Sequence, residues 1–458
     1  MNTLGFLMNL RYFYNLGKIM IIRYCLAFIL MPLASIALNS RNSRPNVILI
    51  MADDMGYECL SCYGSTSYST PNIDKLASKG VRFNHCYSQP LCTPSRVKIM
   101  TGKYNFRNYE GFGYLNPNEK TFGNLFKERN YATCIAGKWQ LNGISGKDRK
   151  DGWDDHNRLK HFGFDEYCLW QFTHKVNEGD GRRKERYKNP YIERNGEVVD
   201  NRSGDYGPDL FCDFITDFID QKRNEPFFIY YPMVLVHDPF VPTPGNLQWN
   251  NNHMQSKSDP RYFASMVSYT DKIVGKIIDK LRECHLEDNT LIIFTGDNGT
   301  NRRVYSKLGN QVIRGGKGTL TDAGTHVPLI ASWTSVGVKA EVSDELITFA
   351  DFYSTFSQLI GLDETNDGSS FLPIIKGDKY KSRDNIVIHY DPMWGSQNKN
   401  RGRFIRNQRF KLYQDNRFYD LIKDPLEENA LDVSTLEAKI VEVYEQMKLR
   451  QKNLPKWN

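Results

Sequence analysis

Three apolar runs that each end in chemically capable side chains restrict the fold of this chain more than any other feature. The first, Asn46-Val-Ile-Leu-Ile-Met51, is rich in β-branched residues and bounded by Pro45 and by Asp53-Asp54. The second, Phe227-Phe-Ile-Tyr-Tyr-Pro-Met-Val-Leu-Val236, delivers His237, and the third, Leu291-Ile-Ile-Phe294, delivers Asp297-Asn298. Continuous apolar strands belong in a sheet buried on both faces, usually a parallel one. Helical stretches fall between them. Residues 70–80 read as a short helix that Thr70 can cap and Pro71 can open, and residues 121–130 as another. Over 269–284, Ile273, Ile277 and Leu281 share a face with Val274 and Ile278 beside it, an amphipathic helix. This alternation predicts an α/β fold with a mainly parallel sheet. Such sheets bind ligands at the C-terminal ends of their strands, where Asp53 and Asp54 fall.

Residues 81–87 and 131–136 are two further predicted strands, with Gly137-Lys-Trp139 at the end of the second. Residues 161–167 read as a loop. Residues 175–207 are polar, charged and glycine-containing, an insertion near the rim of a site. From about residue 377 the pattern changes to short strands at 386–390, 404–405 and 409–413, then 418–425 and a closing helix at 436–449. We therefore expect a main domain over 38–376 and a smaller α+β subdomain over 377–458. Residues 1–37 carry Arg11, Lys18 and Arg23 but no acid, and end in a short apolar run followed by small residues. They read as a signal peptide cleaved near Ala37, with Met20 as a second possible start. An uncleaved anchor is the alternative. Export to the periplasm or beyond follows from this reading.

The chain has 60 basic and 53 acidic side chains, a mild excess compatible with an anionic substrate and weak evidence for nucleic acid. Cys59, Cys62, Cys86, Cys134, Cys168, Cys212 and Cys284 are scattered and form no disulfide framework, although one or two bridges are possible after export. Cys59-Leu-Ser-Cys62 has redox spacing without a thioredoxin-like setting.

The chemistry-bearing groups make sense as a set. Asp53-Asp54 and Asp297-Asn-Gly299 could each be turns. Together they supply three carboxylates and a carboxamide just past apolar strands. Such carboxylates repel one another by roughly 4 kcal/mol per pair at 4 Å in a protein-like dielectric. A hard divalent cation relieves this, calcium tolerating irregular geometry better than magnesium. No His/Cys cluster has zinc spacing. Arg96, Lys138 and Lys317 (in Gly315-Gly-Lys-Gly318) add positive charge, and His237 an imidazole. Singly, each cation is a surface charge and the histidine a strand end. Converging on one nucleophile, they suit transfer of a tetrahedral oxyanion group.

The nucleophile candidate lies in Cys92-Thr93-Pro94-Ser95-Arg96, followed by Thr101-Gly-Lys103. This segment resembles the signature of the formylglycine-dependent sulfatases. The similarity extends from about residue 44 to about residue 432, through 46–56, 70–83, Gly137-Lys-Trp139, Gly163-Phe-Asp165, His237-Asp-Pro239, Thr295-Gly-Asp-Asn-Gly299, 315–328 and 418–425. The resemblance implies an alkaline-phosphatase-like fold, a doubly wound sheet with a smaller C-terminal α+β subdomain. It also implies that a maturation enzyme oxidises Cys92 to formylglycine, whose hydrate attacks sulfur and later expels sulfate. By the same resemblance, Asp53, Asp54, Asp297 and Asn298 hold Ca2+ with the modified residue 92, and Asp297 deprotonates the attacking hydroxyl. Arg96 stabilises the modified residue, Lys138 and Lys317 bind sulfate, and His237 binds sulfate or protonates the leaving alcohol.

Two departures stand out. Gln140 occupies the position where the family usually has histidine, and Asp322-Ala-Gly324 replaces Glu-Gly-Gly. Glutamine can hydrogen-bond but cannot shuttle a proton. The expected function is hydrolysis of sulfate esters, on sulfated carbohydrate or aryl sulfate. A related phosphoryl hydrolase and a non-catalytic binder of sulfated glycans are the alternatives. Trp170 and Trp394 are available to stack on sugar, although aromatics more often fill cores.

Overall fold

The computed structural model describes residues 44–143, 152, 154–172, 186–199, 204–336 and 340–457. The signal-peptide reading over 1–37 and part of the 175–207 insertion lie outside these residues. Among the described residues, no helix is long and apolar enough to cross a membrane.

The described residues contain sixteen strands, in chain order β1 (Asn46–Ala52), β2 (Val81–Tyr87), β3 (Ala132–Lys138), β4 (Glu166–Trp170), β5 (Ile192–Arg194), β6 (Glu197–Val198), β7 (Phe227–Pro232), β8 (Thr290–Gly296), β9 (Tyr305–Leu308), β10 (Gln311–Arg314), β11 (His326–Ser332), β12 (Glu341–Thr348), β13 (Ile386–Tyr390), β14 (Gly402–Arg406), β15 (Phe410–Tyr413) and β16 (Phe418–Asp420). Ten of them form one sheet in the order β12-β2-β11-β8-β1-β7-β3-β4-β5-β6. The run from β8 to β4 is parallel throughout, as the apolar strands predict. Every residue of β1, β7 and β8 is buried. Alternation sends Ile48 and Ile50 into one core with Ile73, Phe211 and Ile277, carried by the helices Pro71–Ser78, Gly207–Gln221 and Phe263–Glu283. Val47 and Leu49 enter a second core with Val97, Leu125 and Phe352, carried by Cys92–Thr101, Phe122–Glu128 and Asp351–Leu359. Helices thus cover both faces, and each fully buried Ile or Phe stabilises the fold by roughly 1.5–3 kcal/mol.

The four strands β13-β14-β15-β16 form a separate antiparallel sheet. One of its faces packs Ile405, Leu412 and Phe418 against Tyr444 and Met447 of the helix Ala438–Lys452. Its other face meets Tyr87 and Leu346 of the large sheet.

Some local expectations change. The Thr70 side chain caps nothing; its hydroxyl bonds Ser61 at 2.7 Å and Asp74 at 3.2 Å instead. The helix expected from 269 begins at Phe263, because Met266 and Val267 continue the buried stripe. His161 ends a short helix, Arg158–His161, and Glu166 already begins β4, so the 161–167 loop is shorter than expected. The apolar run 227–236 stops being strand at Pro232, and its remainder folds around the end of β1. There the Asp53 amide donates to the Leu235 carbonyl at 2.7 Å and the Val236 amide to the Asp53 carbonyl at 2.8 Å. β11 is a strand that Pro328 conceals in the sequence; the register shifts between Val327 and Leu329, where a residue without an amide hydrogen fits a bulge. All eight cysteines of the described residues are unpaired.

Candidate active site

Register brings the acidic strand ends together. Ala52 of β1 pairs with Gly296 of β8, so the two chains leave the sheet abreast. The Asp297 amide donates to the Ala52 carbonyl at 2.8 Å, and the Asp54 amide to Asp297 Oδ1 at 3.0 Å. A side chain at Gly296 would meet the Met55 carbonyl at 2.0 Å, so only glycine lets the two loops approach this closely. Beyond them, the Gly56 amide donates to Thr300 Oγ1 at 3.0 Å, whose hydroxyl donates to the buried Glu58 at 2.5 Å.

Asp53, Asp54 and Asp297 are wholly buried and ringed by cations. Lys138 Nζ lies 2.9 and 2.8 Å from the two Asp53 oxygens, and Lys317 Nζ 2.6 Å from Asp54 Oδ2. Arg96 reaches Asp297 Oδ2 at 3.2 Å and the Lys138 carbonyl at 2.7 Å. Burial alone would favour the neutral acid at Asp53. Lys138, His237, Arg96 and Arg186 overcome it and hold that carboxyl well below the usual range. At Asp54 burial wins despite Lys317, and at Asp297 burial and the Asp53 charge win despite Arg96; both are raised.

The charge density and donor chemistry fit a hard cation. Asp53, Asp54 and His237 each offer a ligand atom, all within 4.8 Å of one another. Asn298 adds a buried Oδ1 without a partner, while its Nδ2 donates to Asp54 Oδ1 at 2.9 Å and to the Gly299 carbonyl at 3.0 Å. An orphaned carbonyl oxygen beside carboxylates is the kind of atom a metal satisfies. The geometric cluster thus includes His237, which the sequence assigned to proton or sulfate chemistry.

The cysteine motif forms a helix. Cys92 is its first residue and the whole segment Cys92–Thr101 is buried. Pro94 fits the first turn, where its missing amide hydrogen costs nothing. Ser95 Oγ accepts from the Gln89 amide at 3.0 Å and donates to the Gln89 carbonyl at 3.1 Å, fixing the entry to the helix. Arg96, four residues on, shares the face of Cys92 and so reaches the carboxylates. The helix N-terminus presents partial positive charge at residue 92, which favours an oxyanion there.

Lys138 stands at the end of β3 behind Gly137, whose φ of 112° and 2.1 Å approach of a would-be Cβ to the Pro232 carbonyl exclude other residues. The Gly318 amide donates to the Pro90 carbonyl at 2.8 Å and that of Lys317 to Thr300 at 3.0 Å, drawing the glycine-rich loop beside residue 92. His237 Nδ1 lies 2.6 Å from the Asp238 carbonyl and Nε2 3.8 Å from Asp54 Oδ2. Burial, reinforced by Arg186 and Lys317, pushes its pKa well down, so the imidazole is neutral near pH 7. With Nδ1–H donating to the carbonyl, Nε2 is the acceptor.

Cys92, Lys138, His237 and Lys317 line one cavity of about 490 Å³, and Gln140 joins them. Arg96, Asp53, Asp54, Asp297 and Asn298 lie behind this wall. Sequence reasoning missed Phe112, Arg186, Asn301 and Arg302 in the same lining. Trp394, flagged as a sugar platform, lines the cavity and stacks on Phe112 at 4.1 Å; Trp170 instead lies under the Arg186 guanidinium at 4.3 Å.

The family model described as sulfatase matches residues 45–362. The chain belongs to the sulfatase family. A second model, the C-terminal domain of N-sulphoglucosamine sulphohydrolase, matches residues 316–455. Human arylsulfatase H is 29% identical over 440 residues, covering 77% of this chain and 76% of its own. An N-acetylgalactosamine-6-O-sulfatase of Bacteroides thetaiotaomicron is 30% identical over 426 residues, covering 76% and 80%. A solved Bacteroides thetaiotaomicron structure, described under metabolism of multiple glycosaminoglycans, superposes with a TM-score of 0.70 at 25% identity, over 89% of this chain and 98% of that one. The fold is the alkaline-phosphatase-like one that the sequence resemblance implied, and this sulfatase is a hydrolase of sulfuric esters.

Proposed function

We propose that this sulfatase cleaves sulfate esters of carbohydrates with a formylglycine derived from Cys92 and a calcium-type cation. The observation that carries the reading is one cavity shared by Cys92, Lys138, His237 and Lys317, with three buried carboxylates and Asn298 directly behind it. The names of the relatives, an N-acetylgalactosamine-6-O-sulfatase among them, support a sulfated sugar as substrate. So does the Phe112–Trp394 aromatic pair at the cavity, a surface on which a sugar ring can stack.

Asp53, Asp54, Asp297 and Asn298 would hold the cation, with the modified residue 92 completing the set. When bound, the cation would supply Lewis acidity toward a sulfate oxygen, and the hydrated aldehyde the attacking hydroxyl. The chain's own residues do the rest. Lys138 and Lys317 bind the peripheral sulfate oxygens and neutralise the charge that concentrates on them. Arg96, locked between Asp297 and the Lys138 carbonyl, fixes residue 92 and the carboxylates in mutual register. Asp297, raised by burial, accepts the proton of the attacking hydroxyl. His237 passes a proton from Nε2 to the leaving oxygen only in its minor, solvent-protonated form, and is left neutral when the alcohol departs. Gln140 binds without titrating.

The neutral His237 and the glutamine together imply that easily expelled leaving groups react with least help. We propose export as the setting, in which a maturation enzyme acts on Cys92 before the fold closes around a residue only 5% exposed. The test is sulfate release from a panel of sulfated monosaccharides and an aryl sulfate by co-matured protein, beside Cys92→Ala. Release from sugars by the parent alone is expected. Release from the aryl ester only, or equal release by Cys92→Ala, would overturn the reading.

A further inference from the structure

The cations of the site are unequally committed. Lys138 holds both Asp53 oxygens, Lys317 sits 2.6 Å from Asp54, and Arg96 is shared between Asp297 and a backbone carbonyl. Arg186 differs. Among the described residues its one carboxylate contact is 3.4 Å, to an Asp53 oxygen that Lys138 already holds at 2.8 Å. Its Nε is buried with no hydrogen-bond partner among the described residues, and the residue is only 8% exposed. A guanidinium carries five donors, and leaving them unused away from water is costly. This one lines the cavity beside His237, Lys138 and the uncharged Gln140.

Its position is also fixed. The Trp170 ring lies 4.3 Å beneath the guanidinium. The neighbouring Tyr187 hydroxyl contacts the His237 carbonyl and lies 2.9 Å from that of Val234, tying this segment to the loop that carries the histidine. The Gly207 amide donates to the Tyr187 carbonyl at 2.7 Å.

We propose that Arg186 is a further substrate-contacting residue, whose guanidinium grips the sulfate group that enters this cavity. The proposal rests on the sulfatase reading and adds to it a residue outside the cysteine, lysine and histidine set. A planar fork of donors matches two oxygens of a tetrahedral anion, which a lysine cannot do. It supplies positive charge to a cavity lining in which Gln140 is neutral.

The test combines equilibrium binding of inorganic sulfate, by calorimetry on unmatured protein, with kcat and KM of matured protein. Arg186→Met keeps an apolar stem on Trp170 and removes the charge. A lost charge-assisted hydrogen bond should weaken sulfate binding roughly 10- to 100-fold, and raise KM similarly, with thermal unfolding little changed. Arg186→Lys should recover part of the affinity. Sulfate affinity and KM within about twofold of the parent in a folded Arg186→Met protein would overturn the proposal and leave Arg186 a counter-ion for Asp53. Should that variant not fold, Arg186→Gln gives the same reading. The binding arm needs no turnover. Parent protein that binds sulfate through Arg186 yet hydrolyses no sulfate ester would sink the sulfatase reading and leave the contact standing.

Discussion

Lys98 offers a test of the burial electrostatics that is independent of catalysis. It lies on the helix that begins with Cys92, is wholly buried, and its Nζ has no hydrogen-bond partner. The Tyr104 ring lies 5.1 Å away. Asp351 attracts it, but that carboxylate is itself paired with Arg383 at 2.9 Å. Burial therefore pulls the ammonium down from 10.5 to about 7, with Asp351 opposing and Arg383 adding to the fall. Below about pH 7 both folded and unfolded chains are charged, and the folded state bears the full penalty. Between about pH 7 and 10.5 the unfolded chain binds the extra proton, so this contribution to stability rises with pH. At about 1.4 kcal/mol for each unit of separation, the penalty has a ceiling of about 5 kcal/mol. Lys98→Met, close in length and shape, should remove it. Urea midpoints should show the variant several kcal/mol more stable near pH 6, with the gap closing by roughly 1.4 kcal/mol per pH unit above about pH 7. A gap that does not change with pH would refute the argument.

Asp54→Ala or Asp297→Ala should lose a calcium-type cation and nearly all turnover, because the remaining oxygens cannot hold it; metal analysis at full occupancy in both variants would contradict this. His237→Ala should slow a sugar sulfate far more than nitrophenyl sulfate, whose leaving group needs no proton; equal losses would reassign His237 to sulfate binding. Gln140→His should fold normally, and turnover measured against pH should gain a limb near the histidine range that the parent lacks.

What could be read in the sequence was whatever an apolar strand announces. Val47–Met51 and Leu291–Phe294 mark buried strands, and parallel pairing puts the residues just beyond them, Asp53, Asp54, Asp297 and Asn298, at the C-terminal end of one sheet. Lys138 follows by the same logic; His237 does so only in part, because β7 ends at Pro232 and residues 233–236 fold around the end of β1 before reaching it. The cysteine segment carries its family resemblance in its residue types, yet not its helical form. Its first turn contains proline, and it is buried on every side, so no amphipathic stripe appears. Arg186 was illegible because it comes from a polar insertion with no period; its cue, an arginine before Tyr187, has meaning only once Tyr187 is tied to the His237 loop. β11 was hidden by Pro328, and Phe112 and Arg302 by their loops.

The proposed chemistry turns on the side chain at position 92. Peptide mass spectrometry of protein co-expressed with a formylglycine-generating enzyme, on the same preparation used for turnover, tests it most directly. An aldehyde in place of the Cys92 thiol is expected, with sulfate release proportional to the fraction converted across preparations. Active protein whose Cys92 retains its thiol would contradict it.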